Sequence, residues 1–524
     1  MYWITLFSFV FFTALVAVGT WLIVRNKEVK SQDGYFLAGR SLTFPFIAGS
    51  LLLTNLSTEQ MVGLNGSAYA EGFMVMAWEV LAVIALVIMS WFFLPRFLNA
   101  GVTTVPEYLA KRFDKSTGTI CNAIFLLAYT FGLLPIILYT GATGLNGILD
   151  MKSLTGIHNE SVLLWCMIWF IGIAGSIYAL FGGLRSVAVS DLLNGIGLLI
   201  GGFMICFFAL KVAGNGEGLM AGLENVYHFE PSRFNSIGPE NSSIPFSTLF
   251  SGVLIINIFY WCTNQQIIQR TFGASSLAEG QKGILLCGTL KLLGPLYLVL
   301  PGMIAFYFFS KDGIRPDHAY GMLVNKVLPA PLAGFFAAVM VGAILSSFNS
   351  VLNATCTLFS LGFYKQYINP EATELQVVSS GKTFGWTVAL LSMLVAPMLA
   401  KTTSIFTYLQ YINSMYAIPI FSVVLLSMLS KTIPAGAVKI TLVAGCILTI
   451  LGVIFVKNMN PFHVSGIIFL LLVGFMLAAR KFKPVPREMP NASPVDMTPW
   501  KLTHPIGAIL LGIVLLIFIA FSNF

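Results

Sequence analysis

The chain has 524 residues, of which 57% are hydrophobic and only 10% charged, and its mean hydropathy is +0.85. Soluble globular proteins are about half apolar and about a quarter charged, so too little polar surface remains to cover a water-soluble body of this size. The formal charge of +8 is spread over short hydrophilic breaks, without a cluster long enough to bind nucleic acid. Soluble enzymes, nucleic-acid binders and disordered scaffolds are excluded, and a polytopic membrane protein is predicted.

Apolar segments long enough to cross a bilayer recur along the whole chain. A helix needs about 20 apolar residues to span a hydrocarbon core of about 30 Å, and lipid offers no partner to exposed backbone polar groups, so each segment is predicted to be helical. The segments lie at 3–24, 45–68, 74–98, 121–147, 161–181, 187–210, 246–267, 281–308, 330–363, 382–400, 404–429, 437–456, 461–479 and 503–523. The prediction is an all-α polytopic membrane protein with about fourteen transmembrane helices.

Lysine and arginine are concentrated in alternate breaks between these segments. They follow the first span (25–40), the third (96–115) and the thirteenth (480–501), whereas the break at 213–245 is largely acidic. Basic loops stay on the cytoplasmic side, so both termini are expected on the external, periplasmic side of a bacterial inner membrane. The first segment lacks the basic leader and the cleavage site of a signal peptide and is interpreted as a retained span.

Polar side chains interrupt two of the predicted spans. The second span carries TNLSTEQ at 54–60, and the seventh carries a further polar stretch at 257–265. Such groups are costly in lipid and are candidates for function. Transporters with inverted repeats place discontinuous helices at corresponding positions of their two halves and bind substrate there. The separation of the two interruptions by five helices therefore predicts a core of five plus five helices.

The predicted organisation of the chain has five parts. They are a leading transmembrane helix with a cytoplasmic loop at 1–30, a first repeat at 31–214, an external loop at 215–245, a second repeat at 246–432 and three peripheral helices at 433–524. The seven cysteines are scattered singly, so neither a disulfide framework nor a zinc site is indicated. No nucleophile–base pair is evident, and the chain is not expected to be an enzyme.

Several segments resemble the sodium:solute symporter family. GYFLAGRSL at 34–42, NLSTEQ at 55–60 and GGLRS at 182–186 are similar to signatures of that family, and YWCTNQ at 260–265, IQR at 268–270 and QKG at 281–283 are similar to its sodium/glucose cotransporter branch. The resemblance runs from about residue 30 to 430. It implies a LeuT-type 5+5 inverted repeat and a symporter that imports a hexose, galactose or glucose, together with Na⁺ by alternating access.

The resemblance further implies a sodium site where the first core helix unwinds. The matching positions are the backbone carbonyls of Leu53, Leu56 and Ala343 and the hydroxyls of Ser346 and Ser347. Oxygen ligands suit a hard cation, and an unwound helix exposes carbonyl groups. The alternative is that the two serines donate hydrogen bonds back to their own helix.

The resemblance also implies a set of sugar-binding positions. They are Gln60, Glu79, Asn257, Lys291 and Gln410, with Tyr260 stacking beneath the sugar ring as an inner gate. A carboxylate, amides and an ammonium group can pair with hydroxyls that both donate and accept, and each missed pair is costly when buried. The alternative is that Glu79 and Lys291 only neutralise one another. Ala82 stands where a bacterial galactose symporter of the family has serine, so inositol and sialic acid remain open as substrates.

A second ion site is a further hypothesis. Asp191, Ser346, Asn349 and Ser350 resemble the extra sodium site of some relatives, although Asn349 replaces the usual small residue. The alternative is that Asp191 caps the N-terminus of the sixth span, where a carboxylate is favoured. A sugar sensor, a channel and proton coupling are the other functional alternatives. The expected partners are a small solute, sodium and the lipid bilayer, with no nucleic acid and no obligate protein partner.

Overall fold

The structure is a computed structural model that describes residues 2–24, 32–57, 59–149, 151–401, 405–482 and 493–522. The side chains of residues 181–187 are not among those described, and the GGLRS signature at 182–186 therefore carries no side-chain account. The basic residues at 25–30 also lie outside the described part of the chain.

The described residues are almost entirely helical. The first half of the chain forms α1 (Tyr2–Val24), α2 (Gln32–Leu37), α3 (Phe44–Asn55), α4 (Asn65–Glu71), α5 (Ala77–Ile88), α6 (Leu94–Asn99), α7 (Val105–Arg112), α8 (Lys115–Ala128), α9 (Leu134–Leu149), α10 (Met151–Thr155), α11 (Glu160–Ala213) and α12 (Leu219–Phe229). The second half forms α13 (Gly252–Cys262), α14 (Gln265–Phe272), α15 (Leu277–Lys291), α16 (Leu300–Phe309), α17 (Pro316–Val327), α18 (Ala330–Phe359), α19 (Glu374–Val395), α20 (Ile405–Leu429), α21 (Ala435–Phe455), α22 (Pro461–Phe482) and α23 (Thr503–Ala520). Over the same described ranges the β-type pairing is limited to isolated bridges, Leu42 with Ala274 and Ser276 with Asp496.

Irregular turns join many of these helices within a single span. π-helical turns occur at Glu59–Leu64, Met89–Phe93, Tyr129–Leu133, Pro295–Val299 and Ser360–Ile368, and 3₁₀ turns at Ala38–Arg40, Phe73–Met76, Pro231–Phe234, Phe246–Phe250 and Ala396–Lys401. π-helical turns are rare and occur frequently at functional sites. Their number makes these spans candidates for binding and movement.

By length and hydropathy, eleven helices of the described chain are able to cross a membrane, or twelve when the pair Leu277–Lys291 and Pro295–Phe309, bent by 46°, counts as one span. Two shorter apolar helices, Phe44–Asn55 and Gly252–Cys262, fall within the predicted second and seventh segments. The all-helical membrane fold is confirmed. The exact count of fourteen is not fixed by these criteria.

Large apolar side chains cover the outside of the bundle. Phe7 on α1 is 74% exposed, Phe170 on α11 is 75% exposed and Phe455 on α21 is 73% exposed. Apolar surface of this extent requires an apolar surrounding, which the bilayer provides. The interior holds the two interrupted spans: α3 packs against α11, α15 and α18, and α13 packs against α5 and α20.

The start of α8 is fixed by a charged N-cap, and the cap gives a stability prediction. Asp114 Oδ1 accepts from the Thr117 backbone N–H at 2.8 Å, and Asp114 Oδ2 lies 2.8 Å from Lys439 Nζ on α21. Burial alone would raise the pKa of Asp114, but these hydrogen bonds and those from Ser116 outweigh it and lower the pKa to about 2. Stability from this group is therefore present above pH of about 4, the ordinary value, and is lost as the pH falls towards 2.

We expect Asp114→Ala to lower the free energy of unfolding by about 1 kcal/mol at neutral pH, because an N-cap and an ion pair are both removed. Thermal unfolding of the purified protein in detergent measures this. Glu217→Ala, an exposed carboxylate in the loop after α11, is the control with little expected change. Equal melting temperatures for Asp114→Ala and the wild type would contradict the assignment.

Candidate functional site

The first core span breaks directly after α3. The Leu56 N–H still bonds to the Leu52 carbonyl at 2.7 Å, but the Ser57 N–H turns to the Asn55 carbonyl at 2.8 Å instead of continuing the helical ladder. Asparagine and serine have low helix propensity, and the Asn55 side-chain oxygen accepts a hydrogen bond from Lys291 rather than from nearby backbone. The chain resumes as the π-helical turn Glu59–Leu64 and then α4. The polar run predicted to interrupt this span therefore does so.

The second interruption lies between α13 and α14. The N–H groups of Thr263 and Asn264 both bond to the Phe259 carbonyl, at 2.8 and 3.0 Å, so the ladder ends there. Asn264 has an extended backbone, with φ −72° and ψ 120°. Its side-chain oxygen accepts a hydrogen bond from the Tyr129 hydroxyl, which in turn accepts from the Gln266 N–H at 3.2 Å. The break is thus held against the π-helical turn within the α8–α9 span.

The two broken spans enclose a cavity at the middle of the bundle. About 50 Å³ of it is free volume. All six positions implied to bind a solute line it together: Gln60, Glu79, Asn257, Tyr260, Lys291 and Gln410. The cavity is also lined by polar residues not in that set, Thr54, Asn55, Ser57, Gln266 and Asn413, and by Trp78 and Trp261. Helices far apart in sequence thus bring these polar groups together, and apolar residues such as Leu133, Ile137 and Phe259 complete the lining.

A buried ion pair forms the centre of this lining. Lys291 Nζ donates to Glu79 Oε2 and to Asn55 Oδ1, and it lies 5.6 Å from the centroid of the Trp261 ring. Lys291 is 0% exposed and Glu79 1% exposed. Two opposite charges removed from water stabilise one another only with well-formed hydrogen bonds. The carboxylate and the ammonium are therefore held in fixed positions, with no net charge.

Gly294 packs directly against Glu79, and this contact gives a second prediction. A Cβ added at Gly294 would come within 2.7 Å of Glu79 Oε2, whereas one added at Gly288 would meet only ordinary contacts, the nearest at 3.5 Å. We expect Gly294→Ala to displace the carboxylate and to raise the KM for solute at least about tenfold, which corresponds to about 1.4 kcal/mol. Solute uptake kinetics measure this, with Gly288→Ala as the matched control. A KM for Gly294→Ala equal to that of the control would be inconsistent with a role for Glu79 in binding.

The amide groups of the lining differ in how well they are satisfied. Asn257 Nδ2 donates to the Val253 carbonyl at 3.1 Å. Among the described residues, Gln60 Oε1 is buried without a hydrogen-bond partner. Buried polar atoms are normally paired. An unpaired acceptor next to a polar cavity is suited to a hydroxyl group from a solute.

Asn55, Gln266 and Asn413 belong to this lining although the sequence had not singled them out as binding residues. Asn55 lay in the family signature, and its contact with Lys291 spans 236 positions of sequence. Asn413 follows Gln410 by one helical turn on α20, so helical periodicity places both on the same face. That spacing was a usable signal for Asn413.

The positions that the resemblance implies for sodium are all buried. Leu53, Leu56 and Ala343 are fully buried. The Ser347 hydroxyl is buried, lines the central cavity and has no hydrogen-bond partner within the described chain, whereas the Ser346 hydroxyl donates to Asp191 Oδ1. The alternative that both serines bond back to their own helix is therefore wrong. Ser347 therefore offers an oxygen to which no donor of the described residues bonds.

A second buried ion pair lies behind these serines. Arg270 Nη2 is 3.6 Å from Asp191 Oδ2, and the same oxygen accepts from the Ser50 hydroxyl at 2.7 Å. Arg270 also donates to Ser50 Oγ at 2.8 Å and to Ser350 Oγ. The guanidinium group thus contacts residues of three other helices, α3, α11 and α18, whereas the sequence placed Arg270 only within a motif.

The positions of the hypothetical second sodium site divide between two environments. Asp191 and Ser350 both contact Arg270, while both side-chain polar atoms of Asn349 are buried without partners in the described structure. Asp191 lies inside α11, whose N-cap is Asn159. The alternative that Asp191 caps a helix is wrong, because the backbone continues as helix through the predicted break at 182–186.

Comparison with known proteins agrees with this architecture. The family model described as the sodium:solute symporter family matches residues 35–444. The chain belongs to the sodium:solute symporter family. The resemblance inferred from the signatures is confirmed, and with it sodium as the ion that the family's description names.

Two relatives agree with this assignment, and one solved structure shares the fold. It is 44% identical over 499 residues to an uncharacterized symporter of Escherichia coli strain K12, covering 94% of this chain and 87% of that protein. It is 32% identical over 453 residues to the sodium/glucose cotransporter of Vibrio parahaemolyticus, covering 82% and 81%. The structure of a Na⁺-coupled sialic acid symporter in a substrate-bound, outward-open state superposes with a TM-score of 0.77 at 21% identity, covering 93% of this chain and 99% of that chain. That similarity shows a shared fold.

Proposed function

We propose that this symporter imports an uncharged, polyhydroxylated solute, a hexose such as galactose or glucose, by coupling it to Na⁺. The observation that carries the proposal is the Glu79–Lys291 pair, buried within a cavity lined by amides. A matched pair adds no net charge, yet supplies a strong acceptor and a strong donor for hydroxyl groups. Gln60, Asn257 and Gln410 add amide partners, and Tyr260 supplies an aromatic face.

The sodium ion is proposed to bind where α3 ends, next to this cavity. The ligands would be the carbonyls of Leu53, Leu56 and Ala343 and the hydroxyls of Ser346 and Ser347. Support comes from the broken ladder after Asn55 and from the unpartnered Ser347 hydroxyl. An ion bound there would order the unwound segment that also carries Gln60. Sodium binding would thereby favour the solute-binding geometry, which is the basis of coupling.

A second sodium ion bound by Asp191, Asn349 and Ser350 is the alternative stoichiometry. The unpartnered Asn349 amide supports it, and the Arg270 guanidinium beside Asp191 opposes it. The difference is large: one charge crossing about 100 mV provides about 2.3 kcal/mol, and a tenfold sodium gradient adds about 1.4 kcal/mol. One ion therefore supports accumulation of several hundred-fold, and two support its square.

The membrane topology is proposed to have fourteen spans. Helices α3 and α13 are each too short to count as a span by length alone, and each would form part of one further span. The repeats at 31–214 and 246–432 would form the core that moves during transport. The loop at 215–245 would be external, as would both termini, and the residues before 31 and after 432 would be peripheral to transport. The membrane is proposed to be the inner membrane of a bacterium. No catalytic step and no obligate protein partner are proposed.

Inositol is the second candidate solute, and Ala82 is the observation that favours it. Ala82 lines the cavity and is 1% exposed, so no hydroxyl is offered where a galactose symporter of the family has one. A cyclic polyol would meet the same amides and the same ion pair. Sialic acid would add a carboxylate next to Glu79, and this like-charge contact disfavours it. Sensing without transport is a further alternative.

Uptake by proteoliposomes tests the proposal. Labelled glucose, galactose and inositol are offered with and without an inward sodium gradient, and Lys291→Ala is reconstituted in parallel. We expect one of the three to accumulate only with sodium, and the variant to accumulate none. Sodium-dependent binding without accumulation would favour the sensor, and accumulation that follows a proton gradient instead would overturn sodium coupling.

A further inference from the structure

An apolar cleft lies between the first helix, α1, and the rest of the bundle. It has a volume of about 410 Å³ and is lined by α1, the end of α9, α10, the first part of α11 and one residue of α18. Leu6 on α1, Met167 on α11 and Val341 on α18 stand on three of its sides. The residues assigned to solute and to sodium lie outside this lining.

The lining of the cleft offers nothing to a polar ligand. Among the described residues that form it, Thr5 and Thr155 carry the hydroxyl groups, and none is charged. Thr5 Oγ1 already donates to the Ala330 carbonyl at 3.1 Å, and Thr155 Oγ1 donates to the Met151 carbonyl at 2.7 Å. Apolar cavities stay dry and take up apolar molecules, and a cavity left empty lowers stability in proportion to its volume. The occupant is therefore expected to be apolar.

The packing of α1 on α18 keeps the cleft from closing. Ser8 Oγ donates to the Pro331 carbonyl at 2.8 Å. A Cβ on Gly334 would come within 2.2 Å of the Thr5 carbonyl oxygen, so the two helices are already in close contact beside the cleft. Because α1 has no room to move closer to α18, the space next to this contact has to be filled by another molecule.

The cleft opens toward the lipid and is about as deep as one leaflet. Cys166 and Phe170 belong to its lining and are exposed on the outside of the bundle, Phe170 by 75%. Its α11 residues run from Leu163 to Ile171, which is about 12 Å along the helix axis. One leaflet contributes about 15 Å of hydrocarbon. In the proposed topology α11 begins on the external side, so the cleft lies within the external leaflet.

We propose that this cleft is a lipid site, occupied by one acyl chain of a phospholipid from the external leaflet. A transmembrane helix is about 10 Å across with its side chains and is too bulky for the volume, whereas a single hydrocarbon chain fits. The chain would enter beside Phe170 and pack between Leu6 and Val341. The inference does not depend on which solute is transported.

The acyl chain would support the helix that carries the proposed sodium ligands. Val341 lines the cleft, and Ala343, whose carbonyl is a proposed ligand, follows it by two positions on α18. Residues two apart on a helix point to roughly opposite sides. The lipid chain and the sodium ion would therefore lie on opposite faces of α18, and the chain would fill the space behind the sodium site.

Photo-crosslinking in proteoliposomes tests the position of the chain. The bilayer consists of phosphatidylethanolamine and phosphatidylglycerol, with a small share of phospholipid that carries a diazirine in one acyl chain, and crosslinked peptides of the full-length protein are identified by mass spectrometry. We expect crosslinks at Met167 and Ile171, which are only 7% and 5% exposed. Phe455, 73% exposed on α21, reports the surrounding lipid. Crosslinks at Phe455 with none at Met167 or Ile171 would overturn the proposal.

Filling the cleft with a larger side chain is the second test. We expect Leu6→Trp to lower crosslinking at Met167 at least about fivefold, because a close-packed interior has no room for both groups. Ile4→Trp is the matched control: it adds the same bulk to the same helix, but Ile4 is 54% exposed and outside the lining. Val341→Phe fills the cleft from the opposite side and should act as Leu6→Trp does, which separates filling from a local disturbance of α1. Unchanged crosslinking at Met167 in both filled variants would refute the site.

Discussion

Lys291→Met is expected to abolish sodium-driven solute accumulation. The Lys291 ammonium donates to both Glu79 and Asn55, so its removal takes away the donor proposed for the solute and leaves a buried carboxylate unpaired. Breaking one half of a buried pair costs about 3–5 kcal/mol. Uptake should therefore fall by at least about a hundredfold, and the melting temperature should drop as well.

The double variant Glu79→Gln with Lys291→Met separates the two effects. A glutamine and a methionine of similar size remove both charges together, and such replacements are often neutral for stability. We expect thermal stability to return near the wild-type value while uptake stays absent, measured by melting in detergent and by uptake in proteoliposomes. Restored uptake would show that the pair serves only to neutralise the bundle, which is the alternative reading of these residues.

The sequence predicted the interrupted spans because their cause is local. Asn55 and Ser57 have low helix propensity wherever they occur, and the break appears within the predicted segment 45–68. The orientation of Lys291 was not predictable in the same way. Its partners Glu79 and Asn55 lie more than 200 positions away, and which face of α15 meets them depends on the packing of the whole bundle. The resemblance to a family placed Lys291 among the binding residues, which hydrophobic periodicity alone did not do.

The environment of Arg270 could not be predicted by dividing the sequence into spans and loops. Arg270 follows the predicted seventh span, 246–267, where a basic residue is expected to lie in a hydrophilic loop. In the structure it is 1% exposed and paired with Asp191, since α14 turns into the protein after the interruption at Asn264. Asp191 was likewise close to a predicted span start and was open to a capping role. The continuous helix through that point removed this option and directed its carboxylate to Ser346 and Arg270.

The Asp191–Arg270 pair leads to a second prediction with a large expected effect. We expect wild-type stoichiometry of one sodium per solute, because the Arg270 guanidinium already provides a cation beside Asp191 and donates to Ser350. Asp191→Asn should leave that guanidinium buried without its counter-charge, at a cost of about 3–5 kcal/mol, and uptake should fall at least about a hundredfold. Arg270→Gln combined with Asp191→Asn should recover stability.

The measurement is the ratio of labelled sodium to labelled solute taken up by proteoliposomes, together with the steady accumulation at a set membrane potential. A ratio of one and accumulation no higher than several hundred-fold, at about 100 mV and a tenfold sodium gradient, follow from a fixed cation at Asp191. A ratio of two would mean that Asp191, Asn349 and Ser350 bind an ion despite Arg270, and that the guanidinium moves away from the carboxylate during transport. The Asp191–Arg270 distance of 3.6 Å would then belong to one step of the cycle, and the arginine would exchange places with sodium at each turnover.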